Sequence, residues 1–498
     1  MDKYLLGIDI GTSGAKCAVI DGRGNFVDGT SAEYLPVVRQ AGYSEQNPED
    51  WYSSVLAMLT SLLRTKPHIL SKIGAVSVTG QMRGLTFIGG AGDVVRDSIL
   101  WNDLRCTKEV DEIRQRIPGL LAAVTKNPLN TMCTLPKVLW VMKEEPEVWD
   151  KTLRIIFPKD YIAYRLTGSL HTDHSDASGS SFYDLKKRAW SPEILDALSI
   201  DAEKLPPVLM SDAVVGNVTG EAASATGIRE GTPAVAGASD AVTELLAAGI
   251  VSSHQCKIRL GTSGALSTVV DDIDKAAATG SYLWSSVEPN RWMLDINTRS
   301  CAQATAWLRG LFYGGPGLRK ASFEDMEAEA RAIPLGSDGL VFHPYLMGED
   351  APYWDARLRG SFSGISAHHT RGHFIRAVYE GTAFALRDAL SCLGDVGKGF
   401  SEFILVGGGI KNRLWTTIVL DVLGVDGKIP DHAGAALGAA MLAGVGTGVF
   451  TDLREAIAKS RGRCLHLPHS PNNHDRYGRL FERYKRMKEL FDPIYEIG

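Results

Sequence analysis

Tyr4-Leu5-Leu6-Gly7-Ile8-Asp9-Ile10-Gly11-Thr12-Ser13-Gly14-Ala15-Lys16-Cys17-Ala18-Val19-Ile20 holds two apolar runs joined by a glycine-bounded tip. The same tip recurs at Gly261-Thr262-Ser263-Gly264, after Cys256 to Leu260 and before Ala265 to Val270. Each reads as a β-hairpin. Glycine permits positive φ and close approach of a ligand, and the tip's amides and hydroxyls then suit phosphate oxygens. A single such tip is merely a turn. Two, one in each half of 498 residues, predict a duplicated fold holding a polyphosphate.

Asp21-Gly22 closes the first hairpin and feeds a third extended segment. At Asn47-Pro48-Glu49 the period changes: Asn47 suits a cap, Pro48 the first turn, and Val55, Met58, Leu59, Leu62 and Leu63 recur at helical spacing. A strand at 73–78 then runs into Thr79-Gly80-Gln81-Met82-Arg83-Gly84, with a further hairpin toward Trp101. The second half repeats the alternation. Helices are expected near 302–311, 323–332 and 371–390, strands at 339–342 and 403–406, and a closely packed Ala/Gly helix within 433–446. This is an α/β pattern, and its length calls for two domains, 1–249 and 250–498, with a hinge near Gly249 to His254 and the ligand in the crevice.

Composition excludes several classes of function. The formal charge of −5 gives no electrostatic case for nucleic acid or an anionic membrane, and no apolar run approaches a membrane span. The seven scattered cysteines form no Cys-x-x-Cys pair, so a reduced, cytoplasmic protein is expected. His171, Asp173, His174 and Asp176 lie in a Ser/Gly-rich loop without a recognised ligand spacing, and no metal is expected there.

The chain resembles the FGGY carbohydrate kinases of the actin-like ATPase superfamily, and within them the xylulose kinases. The likeness rests on Gly7 to Gly14, Leu100-Trp101-Asn102-Asp103-Leu104-Arg105, Pro158-Lys159-Asp160-Tyr161, Thr172 to Gly179, Pro344 to Glu349, Glu380-Gly381 and Gly407-Gly408-Gly409, in this order. It implies two actin-like (ribonuclease H-like) ATPase domains with a nucleotide and sugar cleft between them. It also implies ATP-dependent phosphorylation of a sugar hydroxyl with Mg²⁺, D-xylulose to D-xylulose 5-phosphate being the first expectation, and a homodimer is the family's common habit.

The resemblance places the catalytic base at Asp240, which its position at the start of a helix would equally suit to a cap. Asp9, on an otherwise apolar strand, is expected to face hydrated Mg²⁺, its alternative being a backbone hydrogen bond. For ATP the candidates are Gly11, Thr12, Ser13, Lys16, Gly261, Thr262, Ser263, Gly407, Gly408, Gly409 and Asn412; Lys16 equally reads as a solvent-facing strand residue. For the sugar they are Gln81, Met82, Arg83, Trp101, Asp103 and Asp240, although Trp101 also suits a core and Asp103 a pair with Arg105. Three positions depart from the xylulose kinase pattern: Asp350 stands where Arg is common, and the other two fall where the sugar would bind. Arg83 stands where His is usual and Ala241 where Asn is common. Arginine is permanently charged and forked, so a carboxylate or several hydroxyls suit it, unless it turns to pair with Asp103. Another ketose, a polyol or a sugar acid therefore competes with xylulose, as does a sugar or nucleotide sensor without turnover.

Overall fold

The computed structural model describes residues 3–314 and 321–495. The chain forms two compact units. The first holds the chain up to Val251 together with Val270–Met293 and His432–Gly462; the second holds the remaining described residues. Two excursions thus cross the division at 249/250 expected from the sequence.

In the first unit six strands lie side by side: β1 (Tyr4–Ile10), β2 (Gly14–Asp21), β3 (Phe26–Glu33), β4 (Ile73–Gly80), β5 (Val214–Asn217) and β6 (Pro233–Val235), in the order β3-β2-β1-β4-β6-β5. β1 runs antiparallel to β2 and parallel to β4, and β6 is parallel to β4. Three adjacent strands therefore point the same way, and their carboxyl ends are followed by the first tip, by Gln81-Met82-Arg83 and by the approach to Asp240. In open α/β sheets that edge is where ligands bind.

Helix α1 (Pro48–Thr65) starts as its sequence dictates, with the Asn47 side chain accepting from the Glu49 amide and Pro48 in the first turn. It buries Trp51, Val55, Met58, Leu59 and Leu62 against Leu6, Ile8 and Val76 of the sheet. A second, four-stranded sheet (Glu45–Gln46, Leu85–Gly89, Val94–Ile99, Thr152–Ile156) carries its own apolar cluster around Leu85, Phe87, Leu135 and Val138.

The Ala/Gly segment is a helix, Ala435–Gly446, and its small residues explain why it joins the first unit. A Cβ on Gly7 of β1 would stand 1.9 Å from the Ala436 carbonyl oxygen, and one on Gly438 would stand 2.0 Å from that of Thr243. The helix approaches β1 on one side and the helix Asp240–Ala247 on another this closely only because side chains are absent.

The second unit repeats the plan. Its sheet has seven strands: β7 (Gln255–Leu260), β8 (Gly264–Val270), β9 (Trp292–Thr298), β10 (Glu402–Val406), β11 (Gly427–Pro430) and β12 (Cys464–Leu467), in the order β9-β8-β7-β10-β11-β12, with Tyr282–Ser285 at the edge beside β9. β7 and β8 form the hairpin, and β10 and β11 follow in parallel. The duplication is one of topology in the hairpin, the third strand and the two parallel strands beside it, whereas the antiparallel edge strand precedes its neighbour in the chain in the first sheet (β5 before β6) and follows it in the second (β12 after β11). Among the described residues no helix is long and apolar enough to cross a membrane, and all seven cysteines are free.

Candidate active site

The first tip does not work through left-handed glycines. None of Gly11, Gly14, Gly261 and Gly264 has positive φ, contrary to the expectation from the sequence. Crowding requires the glycines instead: a Cβ on Gly14 would lie 2.6 Å from the Ala32 carbonyl oxygen, and one on Gly264 would lie 2.6 Å from Thr298 Oγ1. Ser13 and Lys16 are exposed. The Thr12 hydroxyl is engaged twice, donating to Gln81 Oε1 at 2.9 Å and accepting from Trp101 Nε1 at 2.9 Å. Gln46 closes the network, donating from Nε2 to the Thr12 carbonyl at 2.7 Å while its Oε1 accepts from Trp51 and Gln81. Thr12 therefore ties the tip to two of the predicted sugar residues.

Trp101 is no core residue; it remains 38% exposed. Asp103 has the other fate weighed for it. It is fully buried and accepts from the Ser44 amide at 2.6 Å and from Arg105 Nε and Nη2 at 2.9 and 2.8 Å. Its oxygens hold a loop, which argues against direct sugar contact. Arg83 does not pair with it. Arg83 sits at φ 64°, with its guanidinium carbon 5.0 Å from the Tyr282 ring centroid and 4.7 Å from that of Trp284. Both aromatics come from the excursion 270–293, and no periodicity in the sequence marks them as neighbours of Arg83. Met82 and Arg83 pack over Gly179, where a Cβ would meet Met82 Cε at 3.0 Å and Arg83 Cγ at 3.4 Å.

Asp240 is the first residue of helix α2 (Asp240–Ala247). Ser239, not Asp240, occupies the cap position, and its side chain makes no capping bond. Asp240 Oδ1 accepts from the Ala241 amide at 2.8 Å. Three contacts fix this helix start over the strand ends. Ser239 bridges Gly80, the Thr79 and Thr243 hydroxyls bond at 2.8 Å, and the Ser239 amide donates to Ser175 Oγ at 2.8 Å. Gly237 makes the turn feasible, with φ 74° and no room for a Cβ, which would stand 1.8 Å from the Val78 carbonyl oxygen. Asp9 lies next door, in register with Thr79 on β4 and Lys16 on β2. Its charge reaches Tyr34, whose hydroxyl is pushed up mainly by burial and further by Asp9.

Behind Ser175 lies a buried ionic cluster whose residues entered the sequence reading only through the resemblance. Lys159 Nζ bonds Asp160 and stands 3.2 Å from Asp173 and 3.6 Å from Asp176. Asp173 caps the helix His174–Ser178. Despite full burial, Lys159 and the hydrogen bonds of Ser175 and Ser211 hold it below the usual carboxylate range. Asp176 is raised well above that range by burial first, then by the carboxylates of Asp160, Asp173 and Asp240 against the pull of Lys159. Asp160, Asp173 and Asp176 thus all face the Lys159 ammonium. His174 Nδ1 bonds the Tyr183 hydroxyl at 2.7 Å.

In the second unit, the Gly261 and Thr262 carbonyls accept from the Ala302, Cys301 and Gln303 amides at 2.8 to 3.2 Å. Thr262 is exposed and Ser263 half-buried. Gly407, directly after β10, has φ 93°, and its Cβ would meet the Leu260 carbonyl oxygen at 2.7 Å; Gly409 is closed in by Trp415, whereas Gly408 faces open space. Asn412 caps the helix Arg413–Leu423 through Oδ1 to the Trp415 amide at 2.9 Å, and its Nδ2 donates to the Tyr379 hydroxyl at 2.9 Å. Glu349, which entered the sequence reading only as the end of the Pro344 to Glu349 motif, is buried with Oε1 accepting from the Arg299 and Asp350 amides at 2.6 and 2.8 Å, and burial pushes it up to about 8. Asp350 pairs with Arg299 Nε at 2.7 Å.

Residues 4–247 match the N-terminal domain of the FGGY family of carbohydrate kinases, and residues 256–447 match its C-terminal domain. The chain belongs to that family. It is 33% identical over 486 residues to the xylulose kinase of Bacillus subtilis (strain 168), covering 97% of this chain and 96% of that one. The crystal structure of ligand-bound xylulose kinase from Lactobacillus acidophilus superimposes with a TM-score of 0.90 at 29% identity, covering 99% of each chain. That of gluconate kinase from Lactobacillus acidophilus gives 0.89 at 29% identity, covering 99% and 98%. The two units are thus actin-like ATPase domains, and the chain is a carbohydrate kinase, a phosphotransferase acting on a sugar with ATP as donor.

Proposed function

We propose that this kinase transfers the γ-phosphoryl group of ATP to a terminal hydroxyl of an open-chain sugar, with Asp240 as the base. The observation that carries the reading is the convergence of Asp9, the first tip, Gln81 and Asp240 on the carboxyl ends of β1, β4 and β6. The hydroxyl oxygen attacks the γ-phosphorus, the bond to the β,γ-bridging oxygen breaks, ADP leaves, and the hydroxyl proton passes to the Asp240 carboxylate. Thr12, Gln81 and Trp101, already hydrogen-bonded to one another, form a pre-set wall for the acceptor. Gly408, open to its surroundings between two glycines fixed by packing, suits the adenosine.

Asp9 fits a role toward hydrated Mg²⁺. It offers hard oxygens beside the tip, and Mg²⁺ prefers one or two carboxylates and several waters to an all-protein cage. The ion, when bound with ATP, draws charge from the phosphates. The names of the xylulose kinase relatives favour D-xylulose, giving D-xylulose 5-phosphate. One observation favours a second acceptor class: Arg83 faces aromatic rings and no acid, and a relative of nearly equal structural likeness is named for gluconate. Incubation with ATP, MgCl₂ and D-xylulose, D-xylonate or D-gluconate, followed by phosphorus NMR, tests the reading. A sugar phosphomonoester formed in step with ADP supports it; ADP with no ester, or no ADP with any acceptor, overturns it.

A further inference from the structure

Arg83 is a buried cation to which the described residues of its own unit give no counter-ion. Its side chain belongs to a residue only 7% exposed, lying against Tyr282 and Trp284, whose rings stack 5.4 Å apart at 12°. Among the described residues, no carboxylate comes within 4.0 Å of the guanidinium and no acceptor takes a hydrogen bond from it. Buried acids of this unit are engaged by other cations: Asp103 and Glu45 by Arg105, and Asp160, Asp173 and Asp176 by Lys159. Aromatic faces offset part of the cost of burying a charge, and a hydrogen-bonded anion offsets the rest.

Two neighbours add to the demand. Trp284 carries its indole N–H buried and without an acceptor among the described residues. Lys137, fully buried, places Nζ on the carbonyls of Thr131, Met132 and Cys133 at 2.8 to 3.0 Å and meets no carboxylate there. Burial pulls it down to about 8, and the charge of Arg83 contributes in the same direction. The environment is therefore positive and rich in donors. A hydroxyl brings a donor of its own, whereas an ionised carboxylate only accepts and matches the guanidinium fork with both oxygens.

We propose that the acceptor of this kinase carries a carboxylate, and that Arg83 is the residue that selects it: the substrate class is the open-chain sugar acids. This rests on the kinase reading above. The carboxylate sits on the Arg83 fork and the reacting hydroxyl lies toward Asp240.

D-Xylonate and xylitol differ only in a carboxylate for a hydroxymethyl group, so their kcat/KM ratio, with D-gluconate and D-xylulose alongside, isolates the charge. We expect the acids to exceed the neutral compounds by about 10- to 100-fold. Arg83→Gln, neutral and still polar, should erase that preference chiefly through KM, and Arg83→Lys should retain part of it; circular dichroism checks the fold of both. A wild-type preference for D-xylulose or xylitol, or a preference unchanged in Arg83→Gln, overturns the inference. Failure of every acceptor would break the kinase reading itself. Thermal shifts without ATP then decide recognition separately: stabilisation by D-xylonate but not xylitol, lost in Arg83→Gln, supports the proposal. An equal shift with inorganic phosphate or acetate would show a general anion site and overturn it.

Discussion

The two hairpin tips share four residues, a strand order and a position at the ends of parallel strands, yet their surroundings differ in charge and in wiring. Two residues before the first tip stands Asp9; two residues before the second stands Arg259. Gly7 of β1 admits a helix to within contact of the backbone, and the matching strand position is Lys257. Thr12 turns its hydroxyl to Gln81 and Trp101, whereas the second tip uses carbonyls to hold the first amides of the helix Ala302–Tyr313. A duplicated scaffold thus carries unlike chemistry. On our reading the first copy handles the acceptor, its proton and, through Asp9, the charge of the transferred phosphate, and the second handles the rest of the nucleotide.

The sharpest break of that comparison is Asp240→Asn, which keeps size and helix position but removes the base. Turnover should fall by about 10²- to 10⁴-fold, with ATP affinity, measured by titration, little changed; full ADP release in this variant would refute the assignment. Next, equivalent substitutions at the two tips should have unequal effects. Asp9→Asn should lower kcat by about 10²- to 10³-fold through lost charge organisation at the phosphates, and Arg259→Gln by much less. Equal losses would make the tips interchangeable.

A smaller effect separates the hydroxyls. Thr12→Val leaves the buried Gln81 Oε1 without its donor and should cost about 1–3 kcal/mol in urea unfolding, along with a higher acceptor KM. Thr262→Val at the exposed second tip should stay within about 0.5 kcal/mol. The smallest effect is one of pH. Glu349 is raised from its ordinary 4.5 to about 8, so the folded state keeps a proton that the unfolded chain releases. The resulting stabilisation is complete below about pH 4.5 and is lost as the pH rises through 8. Glu349→Gln should therefore narrow the melting-temperature difference between pH 5 and pH 9, as followed by calorimetry; an unaltered difference would mean that Glu349 is ionised throughout.

The sequence carried the local signals well. Asn47-Pro48 marked the start of α1, the glycine-bounded tips marked both hairpins, and the Ala/Gly run at 433–446 reads as the tightly packed helix that it is. What it could not carry were relations between distant segments. The glycines of the tips signalled loop freedom, but they are required by Ala32 and Thr298, far along the chain. Asp240 was placed by resemblance, and its physical setting depends on Gly80, Thr79 and Ser175, which no local spacing connects to it. Asp103 read equally as a ligand or as the partner of Arg105, and burial with two saturated oxygens favours the partner. The aromatic pair against Arg83 was out of reach altogether, because it enters through an excursion of 24 residues by number, 270–293, that returns to the first unit.

The division of labour between the copies is tested most directly by hydrogen exchange of the intact protein, with the acceptor alone and with a non-hydrolysable ATP analogue alone. The account predicts that the acceptor slows exchange at 81–83 and at the start of the helix beginning at Asp240, and that the analogue slows it at 407–412 and at the second tip. Protection of 407–412 by the acceptor, or of 81–83 by the nucleotide alone, would contradict it.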